Sequence, residues 1–432
     1  MKRYSEYKDS GVKWIGEIPG HWKMPRLKML TSFHNGDRSV NYPSGDDFVD
    51  DGIPFCGADS LCGLYVDLNY ARFITDKKYK LLGGFKIRKN DILYTLRGST
   101  IGKNAMALFS EGTVASSLMG IRKTTNRLIS NYLLYTLNSI CEENQRNVLI
   151  NGSTAPNLSA EDVGIFFIPL PPLPEQETIV TYLDTKVAKI DEYISIAEKK
   201  IAALEELKQS IIAEAVTRGI HKEVPMKDSG VKWIGMIPEH WKIRKMKFVF
   251  KERSEKGYPN EPVLSATQSN GVIPQSMYEN RVVVVNKGFE NLKLVCKGDF
   301  VISLRSFQGG IEYAYYRGII SAAYTILTKS AEFLNEGYVK NLFKSHPFVQ
   351  LLKTCVTGIR EGQNINYSLL RDKYIPVPPL AEQQEIVTYI EAKVANINQL
   401  CQAERSQIEK LKEYKQRLIS DVVTGKVKVT ND

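Results

Sequence analysis

Two stretches of the chain carry apolar side chains at steps that alternate largely between three and four. The first runs through Ile179, Leu183, Val187, Ile190, Ile194, Ala197, Ile201, Leu204, Ile211 and Ala215. The second runs through Ile386, Ile390, Val394, Ile397, Cys401, Ile408, Leu411, Leu418 and Val422, with Glu404 and Lys415 interrupting it. This is the coiled-coil period, and it predicts two helices of roughly 43 residues, about 65 Å each at 1.5 Å per residue. Pro171, Pro172 and Pro174, and later Pro378 and Pro379, fix the chain before each helix starts. Glu175 and Glu177, then Glu382 and Glu385, suit the positive end of the helix dipole. Such length and period favour packing of the two helices on one another over burial against neighbouring domains.

Between the helices the pattern changes to shorter runs. Ile92–Arg97 and Phe300–Arg305 read as β-strands at matching positions, each preceded by an aspartate, Asp91 or Asp299. A helix is predicted from Leu128 to about Arg146, with a counterpart at Phe333–Lys344 that ends before Pro347. Residues 24–167 and 243–374 are therefore expected to be mixed α/β globules.

The chain repeats itself. KDSGVKWIGEIPGHWK at Lys8–Lys23 returns as KDSGVKWIGMIPEHWK at Lys227–Lys242, and the two copies hold Trp14, Trp22, Trp233 and Trp241, all the tryptophans present. IPLPPLPEQETIVTY at Ile168–Tyr182 returns as IPVPPLAEQQEIVTY at Ile375–Tyr389. A duplication of such long period means two copies of one unit, where a solenoid would need three or more short repeats. Two equivalent halves tend to pack about a twofold axis. The expected segments are 1–167 and 227–374, each a globule with its tryptophan block, and 168–226 and 375–432, each a repeated region with its helix. The tryptophans are read as anchors between globule and helix.

Charge refines this picture. The net charge of +10 divides into +4 over residues 1–174, −4 over 175–217, +10 over 218–381 and −1 over 382–424. Basic globules beside acidic helices suggest a polyanion for the former and another partner for the latter. No apolar run reaches the ~18 residues of a membrane helix, Val282–Val285 being short, and the polar start MKRYSEYKDS lacks a secretory core. Six scattered cysteines with no CxxC spacing argue against disulfide scaffolds and zinc ribbons. A cytosolic protein is expected.

Catalytic chemistry finds little support. The five histidines are dispersed, and no HExxH, DxDxDG or Cys/His ligand spacing occurs. Gly98–Asn104 is one residue short of a phosphate-binding loop and ends in Asn where a hydroxyl is needed. An adenine methyltransferase motif of Asn/Asp-Pro-Pro-aromatic is missing, and Asp46, Asp47, Asp50 and Asp51 read as a solvated turn. DNA contact is better supported. Arg97–Ala105 and Arg305–Tyr313 both leave a strand with arginine and run into glycines. Arginine can grip guanine with two hydrogen bonds, and Gln308 or Asn104 can do the same for adenine. Arg97, Ser99, Thr100, Lys103, Asn104, Arg305 and Gln308 are thus candidate contacts, although Arg97 is as well placed to cap the sheet end. Lys77, Lys78, Lys80, Arg88 and Lys89, with Arg244, Lys245 and Lys247, are candidate phosphate neutralisers. Glu198, Glu205, Glu206, Glu404 and Glu409 on the helices are candidate partner contacts.

The duplicated GVKWIGxIPxHWK, the IPxPPLxEQxxIV openings of long helices and the two dissimilar basic regions between them resemble, over essentially the whole chain, a type I restriction-modification specificity subunit. The resemblance implies two target recognition domains, each reading half of a bipartite site in double-stranded DNA, held by an antiparallel coiled coil that sets their spacing. It implies two modification subunits docked on the helices, with S-adenosylmethionine used there. ATP and magnesium are implied for the restriction subunits, and no catalysis or membrane contact for this chain. A solitary DNA-binding regulator or scaffold of the same fold is the alternative. Since base-reading residues differ between members, no site residues carry over.

Overall fold

The computed structural model describes residues 3–150, 156–278, 288–304, 306–357 and 364–429. Val282–Val285 and Arg305 lie outside the described residues. The chain divides into two compact units: residues 1–197 with 406–432, and residues 198–405.

In the first unit, β1 (Thr31–Asn35), β2 (Leu61–Cys62), β3 (Tyr65–Val66), β4 (Ile92–Thr95), β5 (Asn104–Met106) and β6 (Leu118–Lys123) form one sheet in the order β1-β6-β4-β5-β3-β2. The first four are antiparallel, with Ile92 facing Ile121 on one side and Met106 on the other. A second sheet joins Thr113–Val114, Ile53–Cys56, Arg72–Ile74 and Phe48–Val49. Helices α1 (Ser130–Leu137) and α2 (Ile140–Leu149) follow. The single helix expected over 128–146 is broken here. Asn138 and Ser139 turn their side chains back onto the carbonyls of Leu134 and Thr136, at 2.9 and 2.7 Å, and end the first helix.

The second unit repeats this core. Strands β7 (Phe250–Arg253), β8 (Phe300–Ile302), β9 (Glu312–Tyr313) and β10 (Thr325–Lys329) lie in the order β7-β10-β8-β9, all antiparallel. Phe300 faces Leu327 and Tyr313, as Ile92 faces Ile121 and Met106. Helices α4 (Glu336–Lys344) and α5 (His346–Lys353) break at Ser345, whose hydroxyl donates to the Leu342 carbonyl at 2.7 Å. Pro347 sits in the first turn of α5, where its missing N–H costs nothing.

The long helices are α3 (Leu173–Arg218) and α6 (Leu380–Val423). Pro174 is tolerated inside the first turn of α3, so that helix starts before the last proline rather than after it. Within the first unit, Ile179, Leu183, Val187 and Ile190 of α3 share a core with Leu418, Ile419, Val422 and Val423 of α6. Asp191 accepts from Lys415 there at 2.7 Å. Within the second unit Lys200 meets Glu404 at 2.5 Å and Lys208 meets Asn398 at 3.3 Å. Partner numbers fall along α6 as they rise along α3, so the helices are antiparallel. Glu404 and Lys415, which break the apolar stripe, both bond across to the other helix.

Each unit grips its helices by the same devices. The buried Gln176 amide accepts from the Ile129 N–H at 2.8 Å and donates to the Arg127 and Pro171 carbonyls. Gln383 does the same with Asn335, Phe333 and Pro378. The Tyr132 hydroxyl lies 2.7 and 3.1 Å from the Pro169 and Val423 carbonyls, and Tyr338 lies 3.2 and 2.9 Å from those of Pro376 and Val216. Trp22 is fully buried, with its indole N–H on Glu175 at 2.8 Å, and Trp241 is equally buried in its own unit, although its indole N–H meets no partner among the described residues. Anchoring thus rests on Trp22 and Trp241. Trp14 stays 38% exposed, and Trp233 is half-buried against Phe348.

Candidate nucleic-acid interface

A buried aspartate starts the central strand of each unit. Asp91 accepts from the Arg88 N–H at 2.7 Å and from the Arg122 guanidinium at 2.9 and 2.6 Å. Asp299 accepts from the Cys296 N–H at 2.8 Å, from Thr328 at 3.0 Å and from Arg253 at 3.0 Å. Each closes a tight turn whose third residue has positive φ, Asn90 at 70° and Gly298 at 95°. The turn lifts Arg88 and Lys89 into solvent. The strand then delivers a loop at its far end.

In the first unit that loop exposes Arg97, Ser99, Thr100 and Lys103. Gly98 and Gly102 take φ of 87° and 88°, which closes the loop back on the Thr95 carbonyl. Arg97 donates from Nε to the Asn157 side chain at 3.0 Å, leaving the far edge of its guanidinium outward. Lys103 bonds to the Ala58 carbonyl at 3.0 Å, tying this loop to the turn Ala58–Ser60. Asn104, by contrast, is buried. Its amide donates to the Gly102 and Leu137 carbonyls and accepts from Asn138, so it holds the loop and has no free edge for a base.

Below this loop lies a buried acid. Glu142 accepts from the Tyr94 hydroxyl and from Arg146, whose guanidinium packs against Gly102. Burial pushes the Glu142 carboxyl up to about 7, and the Arg146 charge offsets part of that rise.

In the second unit the corresponding loop forms one turn of helix, Ser306–Gly309, and Gln308 is exposed on it. The Lys344 ammonium bonds to the Gly309 carbonyl at 3.0 Å, the Gln268 carbonyl at 3.3 Å and Glu312 at 2.5 Å. Glu312 is buried, and burial raises its pKa against the opposing pull of Lys344.

The remaining cations are spread out. Lys78 pairs with Asp47 at 3.0 Å and Lys80 with Asp76 at 2.5 Å, while Lys77 is exposed beside them. Lys247 and Lys245 reach Asp372 at 2.7 and 3.6 Å, and Arg244 is exposed on the same strand. Arg244 and Lys245 sit on the strand Lys242–Lys245, which pairs with Tyr374–Val377 just ahead of α6, and Lys247 follows in the turn Met246–Phe248. A cleft of about 470 Å³ beside β1, lined by His34, Phe85, Lys86, Arg88 and Arg122, was invisible in the sequence because its residues lie far apart in it.

On the helices, Glu198 and Glu206 are exposed. Glu205 contacts Lys208 and Arg405, Glu404 is taken by Lys200, and Glu409 pairs with Lys412 at 3.0 Å. Among the described residues no three His, Cys, Asp or Glu side chains gather as a metal site, and no helix is long and apolar enough to cross a membrane. Burial pushes the Cys56 and Cys141 thiols up to about 12, away from nucleophilic use.

A duplicated scaffold presenting two different exposed loop sets is the architecture of a two-part recognition protein. Residues 19–206 and 238–410 match the model of the type I restriction modification DNA specificity domain, and the chain belongs to that family. Among its relatives are the MjaX and MjaVIII specificity subunits of Methanocaldococcus jannaschii, 24% and 25% identical over 98% of both chains. The EcoKI specificity subunit of Escherichia coli K12 is 21% identical, covering 95% of this chain and 90% of its own. A solved chain from a study of complex assembly and conformational transition in a type I R-M system shares the fold. Its TM-score is 0.68 at 17% identity, over 95% of this chain and 99% of that one.

Proposed function

We propose that this chain gives a type I restriction-modification complex its DNA sequence specificity, with each unit reading one half of an asymmetric split site. The observation that carries this reading is the shared β1-β6-β4-β5 and β7-β10-β8-β9 core, which ends in loops of different sequence and different anchoring. Loops that differ on one scaffold are suited to different half-sites. Arg97, Ser99, Thr100 and Lys103 contact one half-site, and Arg305 and Gln308 contact the other. Lys77, Lys78, Lys80, Arg88, Lys89, Arg244, Lys245 and Lys247 neutralise phosphates. Asn104 acts from beneath, as a positioning residue.

The recognition segments are 1–167 and 227–374, and 168–226 and 375–432 carry the helices. The helix pair sets the distance between half-sites and carries two modification subunits, with Glu198 and Glu206 as exposed acidic contacts. Restriction subunits join through that assembly. Adenine methylation with S-adenosylmethionine, and cleavage with ATP and magnesium, reside on those partners. This chain breaks no bond, and the complex works in the cytoplasm.

Sequencing of methylated DNA from cells with and without this gene tests the reading. One split, asymmetric motif should be methylated only when the gene is present. Methylation that is unchanged by its removal would refute the assignment.

A further inference from the structure

Resting on that reading, we infer that the second unit recognises adenine-containing base pairs with a composite of two loops, the turn Gln268–Asn270 and the Gln308 loop, which Lys344 locks together as a positioning residue. The turn joins two antiparallel strands, Leu264–Thr267 and Gly271–Pro274, in which Thr267 faces Gly271. It is a three-residue hairpin loop closed by a glycine at φ 72°. The Thr267 hydroxyl bonds to the Gly271 carbonyl at 2.9 Å and accepts from the Asn270 N–H at 3.0 Å, so the turn is held in one shape. All three of its residues, Gln268, Ser269 and Asn270, are exposed.

The two loops touch. A Cβ built on Gly309 would fall 2.9 Å from the Gln268 side-chain amide carbon, so a larger residue there would push that side chain aside. Lys344 spans the junction by binding the carbonyls of Gln268 and Gly309 with one ammonium. Its countercharge, Glu312, is 1% exposed and has one oxygen, Oε2, without a hydrogen-bond partner. Lys344 itself keeps partial access to water, so the pair, with its acid buried, contributes little net stability, and its use here is to fix geometry. The surface so fixed carries three carboxamides, Gln268, Asn270 and Gln308. A carboxamide pairs best with the adenine N6–H donor and N7 acceptor in the major groove, where a good pair gives roughly tenfold discrimination or more.

The experiment uses the full chain with its modification subunits and reads the methylated motif across a genome. Gln268→Ala, Asn270→Ala and Gln308→Ala change exposed side chains and keep the fold. The expected result is that positions holding an A·T pair in the second half-site become degenerate by roughly tenfold, while the first half-site stays strict. Gly309→Ala should displace Gln268 and loosen the same position as Gln268→Ala. The paired variant Lys344→Met with Glu312→Gln leaves no buried charge and should loosen positions read by both loops at once. A second half-site that stays strict in all variants, or that loosens only at G·C pairs, overturns the inference and leaves the specificity assignment intact. A wild-type complex that methylates no defined motif overturns both.

Discussion

The two units differ most where they are exposed and least where they hold the long helices. The first extends its sheet with β2 and β3 and adds a second four-stranded sheet, whereas the second stops at four strands in its main sheet. Yet Gln176 and Gln383, and Tyr132 and Tyr338, make the same bonds in each. The reason is physical: these anchors bind backbone groups, which every sequence supplies, so the loops above them are free to change. Even the buried aspartate shows this freedom. Asp91 takes its arginine from β6 and Asp299 takes its arginine from β7, the next strand over, while Thr328 fills the place of Arg122. The requirement is for an opposite charge, and the sheet position that supplies it is negotiable.

The comparison predicts that recognition can be exchanged wholesale. Replacing 243–374 with a copy of 24–167 keeps a His-Trp-Lys approach and an Ile-Pro-x-Pro-Pro-Leu exit, with a segment 12 residues longer. Loops absorb that length at modest entropic cost. The chimera should fold, keep its modification subunits and direct methylation to an inverted repeat of the first half-site. If it still methylates the original asymmetric motif, recognition lies elsewhere.

Burial raises the pKa of an acid in each unit, Glu142 in the first and Glu312 in the second, and in the first unit the rise is large. Glu142 is raised to about 7 by burial in the first unit, against about 4.5 when unfolded. Its protonated form is favoured by the fold, so the associated stability is whole below about pH 4.5 and lost as pH rises through 7. The shift corresponds to roughly 3 kcal/mol at 1.36 kcal/mol per unit. Glu142→Gln should therefore flatten the fall in melting temperature between pH 5 and 8. An unchanged slope would mean that the acid is already ionised in the fold.

How much of this was legible in the sequence depends on which forces set each feature. The long helices were readable because burial along α3 and α6 imposes a period on many residues at once. The strands over 92–95 and 300–302 were readable for a similar reason, although both are shorter than the runs at Ile92–Arg97 and Phe300–Arg305. The break at Ser139 was not legible, since one hydroxyl turning back on a carbonyl leaves no pattern, whereas the helix end at Lys344 was, because Pro347 disfavours helix in the residue before it. Asn104 looked like a base reader because its type suited one, and only the fold shows its amide spent on Leu137 and Asn138. The turn Gln268–Asn270 went unnoticed because 40 residues separate Gln268 from Gln308, and only the fold brings the two loops together, with Lys344 bonded to both.

Where the helices end, the units match in kind and differ in tightness. Gly219 and Gly425 follow α3 and α6 with φ of 81° and 72°. An added Cβ would meet Pro19 at 2.4 Å at position 425, but nothing nearer than Trp241 at 3.2 Å at position 219. Both alanine variants should lose about 1 kcal/mol to the left-handed backbone. Gly425→Ala should lose a further ~1–2 kcal/mol to overpacking, giving the larger drop in melting temperature. Equal losses would show that the segment around Pro19 yields without cost.

The smallest effect expected is on the helix pair itself. Lys415 bonds both oxygens of Asp191, at 2.7 and 2.8 Å, in the first unit. Its counterpart in the second unit is Lys208 with the neutral Asn398 at 3.3 Å. Both Asp191 and Lys415 keep partial access to water, which screens their attraction, so the pair contributes less than about 1 kcal/mol. Asp191→Asn converts the first arrangement into a copy of the second. It should lower the melting temperature slightly at low salt and not at all at high salt, because screening has already weakened the wild-type pair there. The matched change Asn398→Asp should add a similar salt-sensitive gain in the second unit. Measured together at two ionic strengths, the variants separate charge from shape. A loss for Asp191→Asn that persists undiminished at high salt would mean that the carboxylate matters for its packing and bonding geometry, and that charge contributes nothing to the difference between the two ends.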